Sequence, residues 1–497
     1  MTLKVLHVAS ECVPFAKAGG LGDVVGALPK TLAARGHDVR VLLPKYGFVD
    51  TAAMVRHAAP LAVPLGDGEA WCALWETRIP GSPVPVYFLE HEALYAGPHL
   101  YTPGYDVRDW ARFALLSRAA FQLARHLEWV PDVIHGHDWP TGVVGAIHDC
   151  IEGGAPFEAT ATVMSLHNVA HQPLFPPPAW KMSQLPERLF RASAFEDHGA
   201  MNPFKGAIAT ADLLVAVSAR YAWEITTELG GAGLHELFRA RRDDLIGIRN
   251  GVDTEIWNPR TDPRLPARYD VEDLSGKMVC KAALQREVGL PIDREIPLLG
   301  IICRMTHQKG VDLLLEAAGP ILDLGVQLVV LGSGDPAMQR AFEWFAGAYP
   351  SQAAAVIGYS EDLAHRIEAG IDYFLMPSRF EPCGLNQMYS QIYGTPPVAR
   401  RVGGLVDSIV PFPTDGATGF LFDAPTAEAL YGAVRQAVEL FRHAPHAYLR
   451  MQERGMAQDF SWDGAGVVYE QAYLRALARA RAAAAPGLAL DVSRASG

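Results

Sequence analysis

Apolar positions along this chain fall into short aliphatic or β-branched runs set between polar, glycine and proline positions. In the first half these runs are LKVLHVAS, DVRVLLP, VPVYFLE, DVIHGHD, TATVMSLHN and DLLVAVS, with helical stretches between most of them. Strands covered on both faces need continuous apolar runs, so this alternation with helices predicts a parallel, doubly wound α/β sheet. After about residue 250 the pattern restarts with PLLGIICRM, VQLVVLGSG, AAVIGY, YFLMPS and PPVAR. Two Rossmann-like domains in series are expected, residues 1–248 and 249–459, with a boundary near IGIRNGVD. Ligands of such sheets bind at the carboxyl ends of strands, which directs attention to the loops that follow these runs. Between the first two strands, Val24, Leu28 and Leu32 recur at four-residue spacing and predict the buried stripe of a helix. Pro29 cannot donate to the preceding turn, so a kink or a fresh start is expected there, and Gly36 is expected to close the helix. The stretch VVYEQAYLRALARARAAAA reads as a final helix, and residues 483–497 as a frayed tail.

Composition narrows the function classes. The 497 residues are about three times a typical domain, in keeping with two cores. No apolar run reaches the roughly 18 residues that a membrane span needs. The start lacks the plan of a signal peptide, and the six cysteines are scattered without a CxxC pair, so a cytoplasmic protein with reduced thiols is expected. A net charge of −12 argues against a nucleic-acid surface. Any anionic ligand must therefore meet local cations, which gives weight to each Lys or Arg beside a glycine-rich loop.

Three loops have that character. KAGGLGD sets Lys17 two residues before Gly19 and Gly20, either as a close backbone approach to a phosphate or as a plain strand-to-helix turn with a surface lysine. ICRMTHQKG offers Arg304 and Lys309 at a spacing that lets two cations converge on one diphosphate, against the alternative of a solvated loop. PSRFEPCGLNQM places Glu381 after a strand end, as a sugar or phosphate contact or as a cap of the next helix. In HGHDW, His135, His137 and Asp138 invite a metal reading, which is rejected because consecutive strand residues face opposite sides and no second ligand cluster has suitable spacing. SLHNVAHQP adds His167 and Asn168, a hydrogen-bonding pair suited to hydroxyl-rich ligands. No metal and no cofactor are expected.

With KAGGLGDV, HGHDW, SLHNVA, RRDDLIGIRNGVDTEIWNP, DLSGKMVCKAALQ, RMTHQKGVDLL, IGYSEDLAHRIEAG, MPSRFEPCGL and GGLVDS in order, nearly the whole chain resembles the bacterial glycogen synthase and plant starch synthase family. That resemblance implies the two-domain GT-B architecture, with the active site in the cleft and the carboxy-terminal helix, around 460–482, crossing back to the first domain. It implies transfer of glucose from ADP-glucose to the non-reducing end of an α-1,4-glucan with retained configuration. On that reading Lys17, Gly19 and Gly20 face the donor, while Arg304 and Lys309 neutralise the departing ADP. Glu381 positions the sugar and stabilises an oxocarbenium-like transition state. His167, Asn168 and Asn250 lie near the glucose, Asp138 is an acceptor-side carboxylate, and Glu11, Tyr101 and Lys205 match cleft residues. Tyr359 is matched to the aromatic against the base, and Cys383, Gly384 and Leu385 share the loop of Glu381. Departures from the family pattern occur at Asn386, at Val402, where a hydroxyl is lost, and at His171, Gln172 and Pro173. Alternatives are a glucan-binding or regulatory protein of this fold without catalysis, and a related transferase with another donor or acceptor.

Overall fold

In the computed structural model, which describes residues 1–102 and 104–484, the aliphatic runs read from the sequence are strands of two sheets. The chain forms two compact units, Met1–Gly251 with the segment from Trp462 onward, and Val252–Ser461. The expected tail lies outside the described residues from position 485. Among the described residues no helix is long and apolar enough to cross a membrane.

The first unit is built on a sheet whose strands run in the order Leu245–Gly247, Leu213–Ala216, Ala161–Leu166, Val133–His137, Lys4–Val8, Asp38–Pro44, Pro85–Glu90, Gly68–Arg78, Val55–Arg56. The strands from Leu245–Gly247 to Pro85–Glu90 pair in parallel. Gly68–Arg78 then runs antiparallel to Pro85–Glu90 and to the strand Leu61–Leu65. This antiparallel edge departs from the all-parallel expectation. Its signal was present in Leu65-Gly66-Asp67-Gly68, where Leu65 pairs Gly68 across a two-residue turn and Gly66 has φ +57°. The helix Gly20–Ala34 runs through Pro29 as one element, so no fresh helical start occurs at that proline. Gly36, at φ +91°, follows its end in the left-handed conformation that glycine adopts without strain. One face of the sheet is covered by a core that joins Val5, Val24, Leu28, Leu32, Val133 and Val215 to Tyr469, Tyr473 and Leu477 of the helix Trp462–Ala484.

The second unit carries an all-parallel sheet in the order Ala353–Ile357, Gln327–Gly334, Leu298–Met305, Tyr373–Met376, Pro397–Arg400, Phe420–Phe422. The motif DLSGKMVCKAALQ serves to fasten a helix to this sheet. Lys277 Nζ donates to Ala369 O, Tyr393 O and Thr395 Oγ1 at 3.0, 3.0 and 2.6 Å, and Lys281 Nζ donates to Arg294 O, Ile296 O and Asp372 Oδ2 at 2.9, 2.7 and 2.7 Å. Both ammonium groups are buried, with three acceptors apiece, which is what a lysine in a core requires. Burial pulls the Lys277 ammonium down to about 8. Trp257, from the motif TEIWNP, stacks between His365 and Tyr389 at ring-centroid distances of 3.7 and 3.9 Å, so that motif also pins a segment to the unit.

Candidate active site

In the first unit the candidate residues gather at the carboxyl ends of three neighbouring strands, Lys4–Val8, Val133–His137 and Ala161–Leu166. Glu11, 3% exposed, follows the first. Its Oε2 accepts from Ala18 N at 2.6 Å and Gly19 N at 2.9 Å, and its Oε1 accepts from Tyr101 OH at 2.7 Å. The Tyr101 hydroxyl also lies 2.8 Å from Ser10 Oγ. Burial, followed by the Glu11 charge, raises the Tyr101 phenol well above its ordinary range, so it stays a donor. Glu11 and Tyr101, two of the residues matched to the cleft, therefore hold the glycine-rich loop in shape. Gly19 is extended at φ −153° and precedes the helix Gly20–Ala34 without a side-chain cap. A Cβ built on Gly19 or Gly20 meets nothing within 4 Å, so no protein atom crowds either position, and the uncapped helix start lies open to an anion. Lys17 Nζ lies 2.7 Å from Asp23 Oδ1 in an exposed pair.

Asp138 adopts φ +57°, a strained position for a residue with a side chain. Its Oδ1 accepts from His167 N at 2.7 Å, and the Asn168 backbone N–H also bonds its carboxyl. Burial pushes that carboxyl up to about 8, and the Glu11 charge adds to the shift. Asp138 thus anchors the loop that carries His167 and Asn168. Asn168 Oδ1 accepts from Ala170 N at 3.1 Å, while Gln172 Nε2 donates to Val169 O and Ala232 O, so the His171–Pro173 departure supplies its own anchor. Lys205 Nζ donates to Glu196 O at 2.8 Å and Asp197 Oδ1 at 3.2 Å, an attachment to a neighbouring hairpin. Asn250 is buried with its Oδ1 unpartnered among the described residues.

A residue the sequence reading missed is His7. The sheet register sets it beside His135, and its Nδ1 lies 3.0 Å from His137 Nε2. Spacing within HGHDW carries no sign of a partner 130 positions away. One nitrogen from each of His7, His135 and His137 falls within 4.8 Å of the others. Both nitrogens of His135 and both of His137 are engaged in hydrogen bonds: His135 with Tyr473 OH and Ser165 Oγ, and His137 with His7 and His167.

In the second unit the site lies where the adjacent strands Leu298–Met305 and Tyr373–Met376 end. Arg304 is exposed on the first strand itself, one residue before its end, rather than in the following loop. Lys309 Nζ donates to Glu381 Oε2 at 2.6 Å, and Ser378 Oγ donates to the same oxygen at 3.0 Å. Glu381 is 5% exposed and caps no helix, since the next one, Asn386–Ile392, starts beyond it. The two loops approach so closely that a Cβ on Gly310, itself at φ +66°, would lie 2.0 Å from Pro377 O. On the other side, a Cβ on Gly403 would strike Glu381 O at 1.9 Å. Cys383 is buried in this loop, Gly384 turns it at φ +71°, and Leu385 leads into the helix. Tyr359 is 74% exposed. Asn386 Nδ2 donates to Ile302 O at 2.8 Å, and Val402 packs into the core, so both departures do structural jobs.

Arg379 stitches the two loops together. Its guanidinium grips both oxygens of Asp312 at 2.7 and 2.8 Å and donates to His307 O at 2.9 Å, while its backbone N–H donates to Gln308 O at 2.8 Å. This brackets Lys309 between fixed points. Arg379→Lys keeps the charge and loses the two-pronged grip. We expect kcat to fall about tenfold through a misplaced Lys309, with a stability change under about 1 kcal/mol because the pair is partly exposed. Steady-state rates beside thermal unfolding check this, and an unchanged kcat would sever Arg379 from the alignment of the site.

A family description, starch synthase catalytic domain, matches residues 4–240, and a second, glycosyl transferases group 1, matches residues 296–439. Glycogen synthase 1 of Geobacter metallireducens is 46% identical over 484 residues, covering 96% of this chain and 96% of its own. Glycogen synthase of Anaeromyxobacter sp. (strain Fw109-5) is 47% identical over 482 residues, covering 95% of this chain and 99% of its own. Among solved structures, the catalytic domain of starch synthase IV from Arabidopsis thaliana, bound to ADP and acarbose, superposes with a TM-score of 0.89 at 34% identity, covering 96% of this chain and 100% of that one. Sucrose-phosphate synthase from Thermosynechococcus elongatus, at 19% identity and a TM-score of 0.59, shares the fold over 96% of this chain and 99% of its own.

Proposed function

We propose a division of labour among the residues of a chain that belongs to the glycogen synthase and starch synthase family of GT-B glycosyltransferases. The chain is a glucosyltransferase that moves glucose from ADP-glucose onto an α-1,4-glucan. The bond that breaks joins the glucose anomeric carbon to the β-phosphate oxygen, and ADP takes the electron pair. Arg304 and Lys309 neutralise the charge that grows on the diphosphate as it leaves. Glu381, held by Lys309 and Ser378, sets its negative charge against the oxocarbenium-like sugar. The acceptor's terminal hydroxyl then forms the new bond with configuration retained, and its proton leaves with the diphosphate.

In the first unit, the Lys17–Gly20 segment, with the Ala18 and Gly19 N–H groups held by Glu11, offers the Gly20 backbone N–H and the Lys17 ammonium to the donor. Glu11 and Tyr101 act on the ligand through that segment, which they hold. His167, Asn168 and Asn250 contact glucose hydroxyls, and the exposed ring of Tyr359 stacks on the base. The observation that carries this assignment is the 2.6 Å ion pair between Lys309 and the nearly buried Glu381. A glucan-binding protein without catalysis needs neither group.

The reading is tested by the donor. Stacking on a ring such as Tyr359 accepts any nucleobase, so the choice of adenine must come from hydrogen bonds or pocket size. We expect kcat/KM with ADP-glucose to exceed that with UDP-glucose by at least about tenfold, well within what a polar-edge site can discriminate. Parallel initial rates of glucose incorporation into glycogen measure it. Equal values would overturn the donor assignment, and no incorporation from either donor would overturn the transferase reading.

A further inference from the structure

A row of histidines runs from the first strand to the strand end that carries His167. His7 Nδ1 lies 3.0 Å from His137 Nε2, and His137 Nδ1 lies 3.0 Å from His167 Nε2. His7 and His137 are fully buried, and His167 is half-buried at the outer end. Burial lowers the His7 and His167 rings to about 3, and it lowers His137 well below its ordinary value, with the neighbouring histidines adding to the effect. At neutral pH each ring is uncharged and carries a single N–H.

A neutral imidazole has one donor nitrogen and one acceptor nitrogen, and each contact in the row needs one of each. The three rings must therefore share one polarity, with every proton on Nδ1 or every proton on Nε2. The inner end selects between them. His7 Nε2 is buried and has no hydrogen-bond partner among the described residues. A proton there would be an orphaned buried N–H, the rarest kind of unmet polar group, whereas the other polarity leaves only an unfilled lone pair. His135 stands beside the row, its ring centroid 4.4 Å from that of His137 and 4.8 Å from that of His7. Its own nitrogens face Tyr473 and Ser165, so it packs the row without entering it.

We infer that His7 and His137 are positioning residues that fix the proton of His167 on Nδ1, so that this ring offers an N–H, and never a bare nitrogen, to a hydroxyl of the transferred glucose. The consequence for turnover rests on the reading of His167 as a glucose contact, but the tautomer is testable without it. Nitrogen-15 NMR of the histidine-labelled enzyme, with the His167 signal identified by its loss in His167→Asn, is expected to find the proton on Nδ1 in all three rings. A proton on Nε2 of His167 in the wild-type enzyme overturns the inference, and that measurement requires no variant at the inner positions.

His7→Leu removes the group that sets the polarity. Both tautomers are then expected at His167, with kcat about fivefold lower, the scale of one hydrogen bond, and KM for ADP-glucose within about twofold. His7→Asn, whose amide keeps a donor near the lost Nδ1, is expected to recover at least about half of the wild-type kcat. A folded His7→Leu enzyme with an unmoved His167 tautomer overturns the inference. A moved tautomer with unmoved kcat upholds the row and removes His167 from the list of glucose contacts.

Discussion

Glu381→Gln is expected to lower kcat by about 10²–10³-fold, the scale of one preorganised electrostatic group removed from a reacting centre. The amide keeps the shape of the side chain and the bond from Ser378 and discards only the charge, which isolates the electrostatic contribution. Lys309→Ala is expected to lose at least about a hundredfold by removing the matching cation. The informative comparison is the double variant. Because Lys309 Nζ and Glu381 Oε2 are 2.6 Å apart, each single change leaves the other charge without its counter-charge. The losses should therefore combine to well under their product, as they do for residues that act as one unit. Initial rates of labelled glucose incorporation for the two singles and the double measure this. Near-wild-type turnover in folded Glu381→Gln would remove the carboxylate from the mechanism, and strictly multiplicative losses would mean that the two groups act at separate steps.

The second large effect is on stability. Lys281→Met is expected to cost about 3–5 kcal/mol, because breaking a buried pair strands the partner's charge. Lys281 is 1% exposed and Asp372 5%, and the same Asp372 oxygen that accepts from Lys281 also accepts from Leu298 N at 2.7 Å. Removal of the ammonium leaves a buried carboxylate with one donor and takes a donor from Arg294 O and Ile296 O as well. Urea unfolding followed by circular dichroism gives the loss, and Lys281→Met with Asp372→Asn should recover part of it, since the stranded charge goes too. A loss below about 1 kcal/mol would mean that water reaches the gap and that the motif DLSGKMVCKAALQ is not fastened as described.

The parallel strands were legible because burial on both faces writes itself as uninterrupted aliphatic runs. The antiparallel edge was not read, since Gly68–Arg78 mixes Glu69, Trp71 and Glu76 with apolar residues and half of it faces outward. Pro29 did not break its helix, as packing of Val24, Leu28 and Leu32 into the core overrides a local propensity. In the site, local spacing found Lys309 and Glu381 as chemistry-bearing groups near strand ends. It could not foresee that Glu11 and Tyr101 turn inward to shape the Lys17–Gly20 loop, that Asp138 anchors His167, or that His7 joins His137. Glu11 reaches only seven and eight positions along the chain, but the contacts of Tyr101, Asp138 and His7 join segments 90, 29 and 130 positions apart, and a single sequence records no such pairing. Arg379 was within reach, because a guanidinium two residues before Glu381 and an aspartate three after Lys309 were both printed in the motifs.

The helix Trp462–Ala484 has a consequence for how the protein is made. Tyr469, Tyr473 and Leu477 complete the core of the first unit, the Tyr473 hydroxyl lies 2.8 Å from His135 Nδ1, and Glu470 binds Arg35 through both carboxylate oxygens. On a ribosome the strands of that unit emerge first, yet the element that closes one face of their sheet is synthesised only after the whole of Val252–Ser461. Domains otherwise fold in order as they are made. Here the unit made last can finish folding before the unit made first, which must wait with an uncovered apolar face and rely on whatever shields nascent chains. A chain cut short near residue 461 is then aggregation-prone through its first half, though every residue of that half is present.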